Sequence, residues 1–432
     1  MELDPREDRY TPARTARSAL SSLRLLRNST ALRTTIGFGL GGVGYALGNL
    51  LLARVLPPAQ FGVFTLFLAL LQIGVTLAPI GLEGQVNRRH GAMVSAWRPL
   101  GTSLIVAATT VVVAAALYTM NIGLLAALFI SITAGGIGRV VAAYFQSQLR
   151  FSLALSLSQG LSLALVAMGA VAMIAGGANS GYLAALVACY YVISAILGWG
   201  LLTRRKPAGP VQVHSLVEGL SLLGITAAAL ILMQLERLMT PRLLTIEDLA
   251  TFAVVATLVG SPFRMLQMGA GYTLLPRLSK ASSQQARRQL VRREALAVTS
   301  MGSIAALMVW FAAPWIGEWL LAGKYEISGS LMFAVLVSGA VKIADSFATT
   351  LVWALGSARQ LAMLNWVSWA SAGVGVAGAW LGAHWGLVGL VYGVSLGLIT
   401  RGCISGALAS RLLYTVPITT PMQGRPAAGT AS

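Results

Sequence analysis

This chain is short of charge, of cysteine and of histidine, and each shortage removes a class of protein. Only 10% of its 432 residues are Asp, Glu, Lys or Arg, against about 25% in an ordinary soluble domain. With 56% hydrophobic residues and a mean hydropathy of +0.75, no arrangement of one or two water-facing cores hides that much apolar surface, so lipid must solvate much of it. The two cysteines, Cys189 and Cys403, both lie inside apolar runs, which excludes a disulfide framework. The three histidines, His90, His214 and His384, are scattered, so no metal site is expected. No phosphate-binding glycine loop is present, hence no ATP-driven motor. There is no nucleophile elbow and no long loop rich in acid–base residues. Neither catalysis nor a cofactor is expected.

What the chain does have is apolar runs, twelve of them, near 33–53, 61–81, 99–119, 121–145, 151–175, 181–202, 215–237, 248–273, 295–320, 328–353, 360–382 and 386–409. Each is long enough to span about 30 Å of hydrocarbon as a helix. Short connections carry turn residues such as Pro57-Pro58, Gly176-Gly177 and Pro207-Ala-Gly-Pro210. The first 30 residues are polar and Arg-rich, without the early apolar core of a cleavable signal peptide. They read either as a solvated tail or as a segment lying on an anionic membrane surface.

One stretch is stated twice. Residues 54–64 read RVLPPAQFGVF and residues 242–252 read RLLTIEDLATF. Each copy sits between two apolar runs, about 190 residues apart. That spacing fits duplication of a half-protein rather than a solenoid. The expected organisation is therefore all-α: a basic tail (1–32), a six-helix bundle (33–203), a linker (204–214), a second six-helix bundle (215–410) and a tail (411–432), the bundles related by pseudo-symmetry.

The net charge of +18 does not imply nucleic acid, because the basic residues alternate from side to side of the apolar runs. Twenty-three fall on one side and only Arg54, Arg242 and Lys324 on the other. The excess of Lys and Arg marks the cytoplasmic face, so both termini are expected to be cytoplasmic.

Five basic residues remain inside the runs: Arg139, Arg237, Arg264, Lys342 and Arg401. Each costs roughly 2.5–3.5 kcal/mol at a helix centre and requires a reason. Arg139 and Arg401 either snorkel toward an interface or serve a site. Arg237, beside Glu236, is expected near the outer interface as a structural pair or a gate, and Arg54 at the repeated turn as an interface residue. Lys342 lies near mid-membrane, one turn from Asp345. Ser338, Lys342, Asp345 and Thr349 form a polar stripe, and Thr257, Gly260, Arg264, Gln267 and Gly271 form another. Two readings stand. Either Lys342 and Asp345 neutralise each other and lock packing, or the two stripes line a cationic cavity for an anionic substrate. The glycines at 37, 41, 44 and 48 make either a close-packing face or a bending point.

Several segments together carry a family likeness: LLARVLPPAQFGVFTLFLALLQIG (51–74), GLEGQVNRR (81–89), LERLMTPRLLTIEDLATFAVVATLVGSPFRM (235–265), LLPRLSK (274–280), LLAGKYEISGSLMFAVLV (320–337) and WALGSARQ (353–360). In their order and spacing the chain resembles the multidrug/oligosaccharidyl-lipid/polysaccharide exporter superfamily, and within it the Wzx-type polysaccharide flippases. The resemblance implies a V-shaped, two-bundle carrier in a bacterial inner membrane. It would move an undecaprenyl-diphosphate-linked oligosaccharide from the cytoplasmic to the periplasmic leaflet by alternating access, working between glycosyltransferases and a polysaccharide polymerase. By that reading Arg264, Gln267, Lys342 and Arg139 meet the diphosphate, while Asp345 tunes Lys342 or carries a coupling proton. The family usually has Asp where this chain has Glu236. A cation-coupled drug exporter of the same fold is the alternative.

Overall fold

The computed structural model describes residues 30–83, 86, 97–148, 150–203, 216–279 and 283–415. Their side chains are included except at 30–38, 97, 216–222, 265, 267–277, 279, 358 and 415. Most of the expected N-terminal tail, the linker and most of the C-terminal tail fall outside these residues. Among the described residues there are twelve long helices and no strand. They are α1 (Thr30–Val55), α2 (Pro58–Leu77), α3 (Trp97–Leu117), α4 (Ile122–Ser147), α5 (Phe151–Ile174), α6 (Ser180–Thr203), α7 (Leu216–Leu243), α8 (Ile246–Ser279), α9 (Gln284–Leu321), α10 (Gly329–Leu355), α11 (Ala358–Gly382) and α12 (Gly386–Thr415). Ten segments are long and apolar enough to cross a membrane, and one of them, Arg359–Tyr414, covers both α11 and α12. Ile174, Trp315, Trp319 and Trp366 stand out from the bundle, as lipid-facing side chains should. The chain is a multi-pass membrane protein.

Helix ends follow local chemistry. Pro58 opens α2 at a position whose N–H would lack a partner anyway. Thr245 and Asp248 form a capping box at α8, the Asp248 N–H donating to Thr245 Oγ1 (3.1 Å) and the Thr245 N–H to Asp248 Oδ2 (3.1 Å). Three helices outrun their apolar segments. Helix α7 continues to Leu243 rather than ending near 237, so Glu236 and Arg237 lie well inside it. Helix α8 runs on past 273 to Ser279, and α9 begins at Gln284, where Ser283 accepts the Ala286 N–H at 3.0 Å. Hydropathy reports only the lipid-solvated part of a helix, whereas backbone hydrogen bonding continues into water.

The helices preceding the connection 204–215 pack chiefly among themselves, α1 on α5 and α4 on α3, α5 and α6; α7, α8, α10, α11 and α12 do the same. The two groups meet where α1 and α2 touch α8, and α2 touches α7. The glycines of α1 serve close packing: a Cβ on Gly48 would lie 2.7 Å from the Leu165 carbonyl carbon and one on Gly44 3.4 Å from the Ser162 oxygen, both on α5. Gly37 lies among the residues whose surroundings are not described.

The repeated turns meet each other at the end of the bundle opposite Thr30 and Thr415. Gly62, just after the first turn, lies so close to the Ile246 carbonyl of the second that a Cβ there would clash with it. The buried aromatic rings of Phe61, Phe64 and Phe252 share a core there with Leu249 and Leu331.

Candidate functional site

The five cations inside the apolar runs are sorted by their partners. Arg139 on α4 donates through Nε to Glu83 Oε2 at 3.0 Å and through Nη1 to Thr76 Oγ1 at 3.1 Å. It is therefore held within the N-terminal group of helices. Lys342 on α10 pairs with Glu236 on α7, with Nζ 2.6 Å from Oε1, and the same oxygen accepts the Ser338 hydroxyl at 2.9 Å. Glu236 is almost fully buried, its side chain 2% exposed, while that of Lys342 is 22% exposed. Arg401 on α12 lies 3.6 Å from Asp345 on α10, both deeply buried, and its Nη2 donates to Thr349 Oγ1 at 3.5 Å.

Two expectations are corrected here. Lys342 and Asp345 do not neutralise each other along α10; each takes a partner on a different helix. A one-turn spacing allows a pair but leaves both side chains free to reach across a helix contact, where geometry is better. Glu236 and Arg237 are likewise not a pair at the outer interface, because Glu236 is committed to Lys342.

The remaining two cations are different. Arg237 on α7 and Arg264 on α8 have no carboxylate partner among the described residues. They converge on one side chain from the opposite half, Tyr45 of α1. Arg237 Nη1 donates to the Tyr45 hydroxyl at 3.5 Å, and the Arg264 guanidinium carbon lies 5.3 Å from the ring centroid, within cation–π range. All three are half-buried. Nearby, Gln234 of α7 donates to Gln72 of α2 at 2.8 Å, a second polar link between the halves. Gln267 lies on α8 one turn beyond Arg264, but its side chain is outside those described. Two guanidiniums held together in a low-dielectric setting repel each other unless an anion joins them. Phosphate oxygens suit such a pair, because each guanidinium offers a planar fork of donors.

Sequence reasoning missed Tyr45 and Gln72, and did not connect Glu83 with Arg139. A signal existed: Tyr45 and Asn49, and Gln72 and Thr76, are polar residues at +4 spacings in apolar helices, the same pattern that picked out α8 and α10.

At the end opposite Thr30 and Thr415, the halves interlock through side chains that cap each other's helices. Lys324 Nζ donates to the carbonyls of Arg54 (3.2 Å) and Leu56, and the Tyr325 hydroxyl to that of Ala53 (3.3 Å), all at the end of α1. Arg54 returns a bond to the Leu320 carbonyl in the last turn of α9 (3.4 Å). Reciprocally, Arg242 of α7 reaches the Leu117 carbonyl of α3 (2.8 Å), and Tyr118 donates to the Leu238 carbonyl of α7 (2.9 Å). Carbonyls in the last turn of a helix lack helical donors, so most of these bonds satisfy groups left over by helix geometry. Burial pushes the Tyr118 hydroxyl up to about 12, against the pull of Arg242, and it stays protonated as a donor at physiological pH. The three basic residues of this side, Arg54, Arg242 and Lys324, are all engaged in this latch.

Among the described residues, twelve packed helices in two interlocked groups, with two cations unmatched by a carboxylate where the groups meet, define a polytopic membrane bundle. Residues 51–330 match the polysaccharide biosynthesis protein family, and the chain belongs to that family. Its fold is similar to an outward-facing multidrug resistance MATE family transporter of the MOP superfamily, with 12% identity over 90% of this chain and 97% of that one and a TM-score of 0.55. An inward-facing member has 13% identity over 86% and 94%, with a TM-score of 0.57. A MATE structure in complex with MaD3S has 12% identity over 90% and 98%, with a TM-score of 0.57. Among curated protein sequences none matches this chain significantly.

Proposed function

We propose that the protein is a flippase carrying a polyprenyl-diphosphate-linked oligosaccharide from the cytoplasmic to the periplasmic leaflet of a bacterial inner membrane, with both termini cytoplasmic. The observation that carries this reading is the Arg237–Arg264 pair at Tyr45. Of five intramembrane cations, three are answered by carboxylates and these two are not. A drug exporter taking organic cations would need the reverse, an unanswered carboxylate at the seam between halves. Here both buried carboxylates of the C-terminal helices, Glu236 and Asp345, already face a cation.

In this mechanism the two bundles, residues 33–203 and 215–410, rock about the seam. The lipid diphosphate enters between them and takes the guanidiniums of Arg237 and Arg264. Tyr45 then loses its contacts with both, which weakens one link between the halves as the substrate binds. Lys342 stands one turn from Ser338 on the same face of α10, and both donate to the same carboxylate oxygen of Glu236. Release of the latch at the remote end opens the periplasmic side.

The test is leaflet transfer of a polyprenyl-diphosphate oligosaccharide in proteoliposomes. Arg237→Ala and Arg264→Ala should each lower the initial rate by about 10-fold or more, since a charge-assisted hydrogen bond is worth roughly 1.5–3 kcal/mol. Arg264→Lys should restore part of the loss by keeping the charge without the fork. Wild-type rates in both alanine variants, with insertion intact, would remove this assignment.

A further inference from the structure

A charged surface far from the seam plays no part in the transport mechanism. Of the ten spanning segments, α9 is the least enclosed, its apolar part only 6% buried. It is also one continuous helix from Gln284 to Leu321, so basic and apolar residues share its outer surface. Arg288, Arg292, Leu296, Ile304, Leu307 and Phe311 follow spacings of four, four, eight, three and four, which keeps them on one side of the helix. The four apolar members are 59–71% exposed, and both arginines are exposed as well. Leu296 and Trp319 stand about 35 Å apart along the axis, close to the ~30 Å of hydrocarbon in a bilayer. The two arginines, one and two turns outside Leu296, therefore sit at headgroup level.

This basic end is held in place. On the opposite side of the helix, Leu290 and Val291 pack on a core that includes Leu351 and Leu412. Gln284 Nε2 donates to the carbonyls of Leu413 (3.1 Å) and Tyr414 (2.7 Å) at the end of α12. The Arg288 guanidinium lies over the Tyr414 ring, 4.1 Å from its centroid. Such stacking uses the flat face of the guanidinium and leaves its N–H edge free for an anion. Neither Arg288 nor Arg292 has an ion pair among the described residues. Arg287 is buried, and its Nε and Nη1 have no acceptor. Those atoms are closed to any ligand, but the unanswered charge raises the positive potential around its neighbours. Glu294, the acid of this stretch, is half-buried and already has a partner.

We infer that this surface is a site for an acidic diacyl phospholipid, with its phosphate between Arg288 and Arg292 and its chains along Leu296, Ile304, Leu307 and Phe311. Phosphate oxygens match two neighbouring guanidinium edges. Apolar side chains directly beyond them give the acyl chains a track, which a free phosphate could not use. A zwitterionic headgroup would bring its own cation against the patch, whereas an acidic one does not. The inference holds whatever the chain transports, because this surface is the outside of α9 and the seam cations are on α7 and α8.

The test titrates phosphatidylglycerol and phosphatidylcholine with identical chains against the purified full-length protein in detergent, read by native mass spectrometry. Wild type should prefer phosphatidylglycerol by about 10-fold, as two surface arginines allow. A tenfold rise in ammonium acetate should shrink that preference to about 2-fold or less. Arg288→Gln combined with Arg292→Gln, both at exposed positions, should remove it. Arg98→Gln combined with Arg150→Gln deletes the same charge from exposed positions on the same side of the membrane and should leave it intact. Inorganic phosphate in large excess should not displace the lipid. Equal wild-type affinities for the two lipids would overturn the site. Equal losses in the two double variants would also overturn it, reducing the effect to net charge. Displacement by inorganic phosphate would leave an anion site without a lipid and sink the inference. A preference lost in Arg237→Ala/Arg264→Ala but kept in Arg288→Gln/Arg292→Gln would place the bound lipid at the seam, against this assignment. The flippase reading stands or falls on leaflet transfer, separately from each of these results.

Discussion

Consider removing the latch at the remote end through Lys324→Ala combined with Arg242→Ala. Together these delete three hydrogen bonds between the halves: two from Lys324 to the carbonyls of Arg54 and Leu56, and one from Arg242 to that of Leu117. Both donors are exposed, so each bond is worth about 0.5–1 kcal/mol rather than the full value of a buried charged bond. The sum is about 2 kcal/mol, or a factor of about 30 in the closed-to-open ratio. A ratio of ~100:1 would fall to ~3:1, enough to populate the open state visibly. Spin labels at Ile122 and Glu326, exposed positions on the two halves outside the latch, read this distance by pulsed electron paramagnetic resonance. Cys189 and Cys403, both exposed, are replaced beforehand. A second, longer distance should appear in the double variant and be scarce in the parent. Tyr118→Phe and Tyr325→Phe add two further losses and should increase it. An unchanged distance distribution in the four-fold variant would refute the reasoning. The latch would then only decorate an interface held by Phe61, Phe64 and Phe252.

Other consequences follow from the same geometry. Glu236→Ala leaves Lys342 without its carboxylate and should lower unfolding stability by about 3 kcal/mol, at the low end of the buried-pair range because Lys342 keeps access to water. A Glu236→Ala/Lys342→Ala cycle, read by denaturation in mild detergent, should give a coupling of 1 kcal/mol or more, and strict additivity would contradict the pair. Gly48→Ala should cost about 1–3 kcal/mol through its contact with the α5 backbone. Gly39→Ala on the same helix meets nothing within 4 Å and should be neutral or mildly stabilising. Thermal unfolding of the two glycine variants side by side decides whether α1 is a packing helix.

Much of this architecture is legible in one dimension. Lipid solvation imposes a run of apolar residues for every crossing, so the number and order of helices follow from hydropathy. The duplicated turn at 54–64 and 242–252 identifies one of the places where the halves touch. The scarcity of basic residues on one side points to Arg54, Arg242 and Lys324, although nothing in their spacing says that they are helix caps. Helix ends are read less well wherever the helix continues past the lipid, as α7, α8 and α9 do, because hydropathy follows the solvent and backbone hydrogen bonding does not.

The sequence by itself determined that this is a polytopic helical membrane protein with five cations that must be accounted for. Only the tertiary structure decided which of them are. Helical periodicity places Lys342 and Asp345 on one face but cannot say that Glu236, 106 residues away, faces the first and Arg401 the second. It could not foresee that Tyr45 would lie between Arg237 and Arg264. The physical reason is that a helix fixes the direction of each side chain while packing fixes its neighbour. In a membrane the strongest interactions are between neighbours, since a buried charge must be met by whatever side chain the adjoining helix presents.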